Sequence, residues 1–210
     1  MDDFSIRDER IDIALRELKI INKYLGGIST TISGLKYIVE SEKEELKILD
    51  IGSGSSDNLI AAKRKFSNLQ ILSIDKNLRA LSSSKNSLKK INSNAFHLPI
   101  KNESCDIVYA ALFLHHFTED QIQKLLKEFL RIARKGIIIN DLQRSFLALW
   151  EIKILTFLFS KSEMVKNDAP LSVKRGFTKP ELLKLLSNAR VTNFVIKKKW
   201  AFRWMIVIKK

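Results

Sequence analysis

Glycines, carboxylates and histidines stand at the ends of successive short apolar runs. Gly52 and Gly54 follow the run 46–51 and precede Asp57 and Asn58, where an apolar-periodic helix begins with Leu59 and Ile60. A strand, a glycine turn and a helix start bring bare backbone up to a ligand. Asp75 closes the next run, about 20 residues further on, where a strand-end carboxylate can take both hydroxyls of a ribose. His115 and His116 come after the run 106–110, and Asp141 and Arg144 after the run 136–140. An imidazole suits a general base near neutral pH, Asp141 could serve the same chemistry, and Arg144 could hold an acidic or phenolate group. Each has a plainer use. The histidines could anchor backbone carbonyls, Asp75 and Asp141 could cap helices, and Arg144 could be a solvated surface cation.

The glycine turn can be narrowed further. In a dinucleotide fingerprint a third glycine lets the helix pack beside a pyrophosphate, and here that position falls at Asp57. A carboxylate at a helix N-terminus would repel a phosphate. A ribose held without a pyrophosphate over such a turn points to an S-adenosyl cofactor.

The elements that must position these groups alternate. Runs at 46–51, 69–74, 91–96, 106–110 and 136–140 read as strands; 57–66, 77–90 and 119–134 read as helices, the last opened by a Thr118–Gln121 capping box. This alternation argues for a parallel sheet with helices on its faces. Two helices precede it, at 5–25 (with Ser5 as a cap and Gly26-Gly27 as a stop) and at 29–40. After Asn140 the pattern changes. Residues 145–160 read as a helix apolar nearly all round, 161–177 as a loop containing Pro170, and Thr178–Glu181 as the cap of another helix. Residues 194–196 and 202–208 read as an antiparallel strand pair. The nearly all-round apolar helix needs cover from the domain, a second copy or a lipidic substrate.

The ordered segments Leu49-Asp50-Ile51-Gly52-Ser53-Gly54, Ser73-Ile74-Asp75, Asn94 to Pro99, Cys105 to Val108 and Leu114-His115-His116-Phe117 resemble the motifs of class I S-adenosylmethionine-dependent methyltransferases. Residues 22–27, 140–144 and 168–177 are similar to small-molecule methyltransferases that accompany bacterial type III polyketide synthases. The resemblance implies a Rossmann-like α/β fold with a mostly parallel seven-stranded sheet, an antiparallel C-terminal strand pair, an N-terminal helical cap and a helical insertion after the fifth strand. It implies one domain over 1–210: a cap at 1–45, a cofactor-binding core at 46–140, a lid at 141–177, and a final helix and strand pair at 178–210. It also implies S-adenosylmethionine as cofactor and S-adenosylhomocysteine as product. Asp50 would then support the methionine amino group, and Gly52, Ser53 and Gly54 would pass beneath methionine and ribose. Asp75 would bind the ribose. Lys76, Asn94, Ala95 and Ala111 would surround the adenine and the strand ends, and Tyr24 would close over the cofactor. The family more often has aspartate where Asn94 stands. Arg144, Trp150 and Phe177 are the substrate candidates, and no metal is implied.

Composition sets outer limits. A chain of 210 residues with 45% apolar residues can bury a real core. The single cysteine excludes a disulfide framework and fits a reducing, cytoplasmic setting. The acidic start has no apolar leader, and no apolar run reaches the roughly 20 residues that span a bilayer. The formal charge of +14 could mark an anionic partner, but the lysines are spread along the chain, so a nucleic-acid partner is not expected. The reading is methyl transfer to a hydroxyl of a small aromatic or lipid-like compound, with a homodimer possible. The rivals are an RNA or protein methyltransferase and a non-catalytic cofactor-binding protein of the same fold.

Overall fold

The computed structural model describes residues 9–82 and 88–210. Strands β1 (Leu46–Ile51), β2 (Leu69–Asp75), β3 (Lys89–Asn92), β4 (Cys105–Ala111), β5 (Ala133–Leu142), β6 (Phe194–Lys199) and β7 (Arg203–Lys209) form one sheet in the order β3-β2-β1-β4-β5-β7-β6. The pairings from β3 to β5 are parallel, and β7 runs antiparallel to both β5 and β6. Helices α1 (Glu9–Tyr24), α2 (Gly27–Ile38), α3 (Asp57–Ala62), α4 (Leu78–Ser82), α5 (Glu119–Ile132), α6 (Phe146–Phe159), α7 (Glu163–Arg175) and α8 (Lys179–Asn188) complete the chain.

Strand β4 is buried on both faces from Cys105 to Ala110, as a central parallel strand covered by helices must be. On one face Leu46, Ile48, Ile107 and Tyr109 pack with Leu35 of α2 and Leu59 of α3. On the other, Leu49, Val108, Ile137 and Ile206 pack with Leu125 and Phe129 of α5 and Leu185 of α8. Helix α5 shows why the sequence folds so locally. Its buried residues Ile122, Leu125, Leu126, Phe129 and Ile132 keep helical spacing, and the Thr118–Gln121 box closes its N-terminus, a cap worth about 1 kcal/mol. The strand order turns back between β1 and β4, which opens a crevice at the C-terminal ends of the strands.

The largest departure from the sequence reading is 161–177. The loop expected there is helix α7, with Pro170 inside it. An internal proline removes one helical hydrogen bond. Here the Ser162 cap and the burial of Val165, Pro170 and Val173 outweigh that loss. The third strand lies at 89–92 rather than 91–96, so the helix expected at 77–90 cannot reach its predicted end; it is helical over 78–82, and residues 83–87 lie outside the described residues. The Ser5 cap of the first helix also falls outside them. The β6 strand is longer than expected, because it pairs with β7 along the whole hairpin, and β7 begins one residue later than expected.

Candidate functional site

The turn after β1 is shaped by two left-handed glycines. At Gly52 (φ 61°) a Cβ would stand 2.2 Å from the Phe113 ring, so Phe113 closes that side of the turn. At Gly54 (φ 49°) nothing lies within 4 Å, and this side is open to a ligand. The Gly54 N–H donates to Asp75 Oδ2 and the Asn77 N–H to Asp75 Oδ1, both at 2.8 Å. These contacts hold the β2 carboxylate beside the turn. Burial raises the Asp75 pKa, and its backbone donors partly offset that.

Asp50, at the end of β1, is 3% exposed. Burial pushes its pKa up to about 7; the Ser56 hydroxyl works against the shift and Asp75 adds to it. Ser53 Oγ and Asn58 Oδ1 are buried without a hydrogen-bond partner among the described residues. A raised carboxyl and two buried oxygens around an open glycine turn suit a ligand carrying an ammonium and hydroxyl groups. Lys19 of α1 pairs with Asp57 at the start of α3, at 2.7 Å. The carboxylate that argued against a dinucleotide thus secures the N-terminal helix over α3.

Sequence reasoning missed the polar layer below this edge. The Tyr109 hydroxyl shares a 2.6 Å hydrogen bond with Thr31 and accepts from Asn58, and burial drives its pKa to about 12. Asn140 donates to the Gly27 carbonyl at 3.0 Å. Arg203, 2% exposed, donates to the Leu25 carbonyl, to Asn140 and to Asn22. Burial lowers its pKa to about 10, with Tyr109 and Asp141 opposing. The available signal was polar residues interrupting apolar strands: Asp50 and Tyr109 are register partners in adjacent strands, as are Asp50 and Ser73.

The other half of the site begins where β4 ends. Leu112 takes a left-handed conformation (φ 51°), and its N–H donates to the Asn140 carbonyl at 2.9 Å. This bend directs the chain into a 3-10 turn, Leu114–His116. Phe113 goes to the glycine turn, while Leu112, His115 and His116 line a cavity of about 200 Å³. The other walls come from α1 (Ile21), α6 (Ile152), α7 (Val173) and the hairpin residue Phe202.

His115 and Asp141 are brought together. Nδ1 of His115 lies 2.6 Å from Asp141 Oδ1, with both side chains almost fully buried. Asp141 also accepts from the N–H groups of Leu114 (2.9 Å) and Leu142 (2.8 Å). Burial alone would raise the Asp141 pKa, but His115, the Leu142 N–H and the more distant His116 hold it below the ordinary carboxylate value. Asp141 favours the tautomer with hydrogen on Nδ1, which leaves Nε2 as an acceptor. Nε2 is buried and has no hydrogen-bond partner among the described residues. His116 stacks on His115 with ring centroids 4.2 Å apart.

The remaining expected site residues are scattered. Ala111 ends β4 beside this bend. Lys76 and Asn94 are exposed, Ala95 is buried, and the Asn94 amide oxygen accepts from the Phe96 N–H at 3.1 Å. Tyr24 is 67% exposed, with Lys23 over its ring. None of the three substrate candidates lines the cavity. Arg144 pairs with Glu181 and so braces the start of α8. Trp150 faces outward beside Phe146 and Lys153. Phe177 is buried in the core, and its carbonyl accepts from the Trp204 indole at 2.8 Å.

Residues 49–139 match the family described as a methyltransferase domain. Among solved structures, the plantazolicin methyltransferase BpumL in complex with SAH is similar, at 16% identity and TM-score 0.74, with 99% of this chain and 92% of that one covered. A SAM-dependent methyltransferase from Aquifex aeolicus is similar at 14% identity and TM-score 0.67, with 97% and 99% covered. Magnesium protoporphyrin IX methyltransferase from Synechocystis PCC 6803, also with bound SAH, aligns at 14% identity and TM-score 0.60 over 90% and 86%. None of the curated proteins matches the sequence at a significant level. No helix among the described residues is long and apolar enough to cross a membrane.

Proposed function

We propose, for a chain whose fold and matched domain are those of class I S-adenosylmethionine-dependent methyltransferases, that it methylates a hydroxyl of a small apolar acceptor. An alkyl-substituted phenol is the type of compound meant. Bound S-adenosylmethionine supplies an electrophilic methyl group on a sulfonium and leaves as S-adenosylhomocysteine. The residues toward that cofactor are Asp75 for the ribose hydroxyls, the backbone of Ser53 and Gly54 beneath it, and Asp50 with Asn58 for the methionine ammonium. The raised Asp50 carboxyl and the unpaired Asn58 oxygen support this fit.

The acceptor side rests on one observation above the others: a buried His115–Asp141 pair, with His115 in the wall of a mostly apolar cavity and its second imidazole nitrogen buried without a partner among the described residues. A phenol has a pKa near 10, so a base that takes its proton as the new bond forms lowers the barrier. His115 Nε2 accepts that proton, Asp141 balances the resulting imidazolium, and the apolar walls exclude water. Positioning by the cavity supplies the rest of the acceleration.

The test is a panel of alkylphenols incubated with methyl-labelled S-adenosylmethionine. With the best acceptor, His115→Ala should lose about 10²–10⁴ in turnover, while S-adenosylhomocysteine binds as tightly as before. Full turnover in His115→Ala would remove the base from the account.

A further inference from the structure

Helix α6 presents two unlike faces. Ala148, Ile152 and Thr156 are buried, and Ile152 walls the acceptor cavity. The opposite face is apolar and open to solvent: Phe146 (77% exposed), Leu147, Trp150, Ile154, Phe157 (78%) and Leu158. At 100° per residue these six fall within one sector of the helix, with Lys153 on one flank and Glu151 on the other. Large side chains present roughly 150–250 Å² each, so this face shows on the order of 600 Å² of apolar surface. A monomer seldom leaves that much exposed without a purpose.

We propose that this face docks on an anionic lipid bilayer, and that the acceptor cavity behind it draws its substrate from that bilayer. The second half rests on the apolar acceptor proposed above; the docking does not. Charge decides the occupant. The chain carries +14, which opposes pairing of two copies and favours an anionic surface. Exposed lysines lie along the elements that surround the cavity: Lys23 on α1, Lys153 beside the apolar face and over the Trp150 ring, Lys161 after α6 and Lys174 on α7. Trp and Phe on one side with lysines at the edges is the composition of a helix that lies in the lipid interface. Fourteen residues make about 21 Å of helix, so α6 lies on a bilayer and does not cross it. The exposed side chains of the sector offer a protein partner little to hydrogen-bond, whereas hydrocarbon asks for nothing more. An apolar acceptor dissolved in the leaflet would then meet the enzyme at the helix whose inner side walls the cavity.

The experiment is flotation of the full chain with vesicles of phosphatidylcholine alone, and with vesicles containing equal parts of phosphatidylglycerol, at low and raised salt. The chain should float with the anionic vesicles, at least tenfold less with phosphatidylcholine, and less as salt rises. The double variant Ile154→Ser, Phe157→Ser changes only outward-facing residues. It should lose at least tenfold in vesicle binding while keeping its S-adenosylhomocysteine affinity. Trp150 emission should be quenched by brominated lipid and spared in Trp150→Phe. Equal binding to both vesicle types, or no flotation, overturns the proposal. So does a wild-type dimer that the double variant converts to a monomer, because the face would then be an interface between copies. Methylation of soluble phenols without flotation sinks the docking and leaves the proposed reaction standing. Flotation without methylation of any phenol does the opposite.

Discussion

Asp50 and Asp141 sit at the ends of β1 and β5, the two strands that flank β4, and both are buried. Their pKa values nevertheless move in opposite directions. Asp50 lies on the α2–α3 face, eased by the Ser56 hydroxyl and opposed by Asp75, and rises to about 7. Asp141 lies on the α5 face, accepts from two backbone N–H groups and contacts His115, and stays below the ordinary value. Burial works to raise both carboxyls; the donors and charges around each decide the outcome. One carboxyl is suited to receive a cation from outside the chain. The other has its partner within the chain, and that partner is a base.

Removing each carboxyl should expose the difference most strongly. Asp141→Ala leaves a buried imidazole without its acceptor and two backbone donors unpaired, so urea unfolding should show a loss of about 3–5 kcal/mol. Asp50→Asn replaces a group that is largely neutral below pH 7 by a neutral one, and should cost under about 1 kcal/mol at pH 6. Equal costs would mean that the two sites do not differ as described.

The pH dependence of stability sharpens the same contrast. The folded pKa of Asp50 lies above its ordinary 3.8, so folding favours the protonated form. That contribution is fully present at low pH and declines by about 1 kcal/mol per pH unit as pH rises from 4 to 7. Asp141 is lowered. Its contribution is present above the unfolded value and disappears as pH falls through the folded one. Denaturation of Asp50→Asn across pH 4–8 should lack the decline that the unmodified chain shows. A smaller effect is expected at the adenine edge: Asn94→Asp should tighten cofactor binding a few-fold, since a carboxylate makes the stronger acceptor. No change would count against that placement of Asn94.

How far these features could be read from the sequence follows the same division. The β1 turn and Asp75 were legible because a strand, glycines and a helix start follow one another within a few residues, and such local geometry leaves a local pattern. The fold was legible for the same reason, through alternating strands and helices. Trp150 and Phe177 do not line the cavity, and the sequence could not show this because aromatic type carries no direction: one faces solvent and the other the core. Helix α7 was read as a loop because Pro170 and Asp168 look like turn residues, while the packing that keeps them helical is tertiary. The pairing of His115 with Asp141 spans 26 positions and depends on the left-handed bend at Leu112. Nothing in the residue types signals that bend.

The most direct test of the account is calorimetric titration of S-adenosylhomocysteine from pH 6 to pH 8. Its ammonium should require the ionised Asp50, so affinity should rise about tenfold over this interval, with proton release at the lower end. In Asp50→Asn the dependence should flatten. An affinity independent of pH in the unmodified chain, or the same rise in Asp50→Asn, would contradict the assignment of the β1 carboxylate to the cofactor.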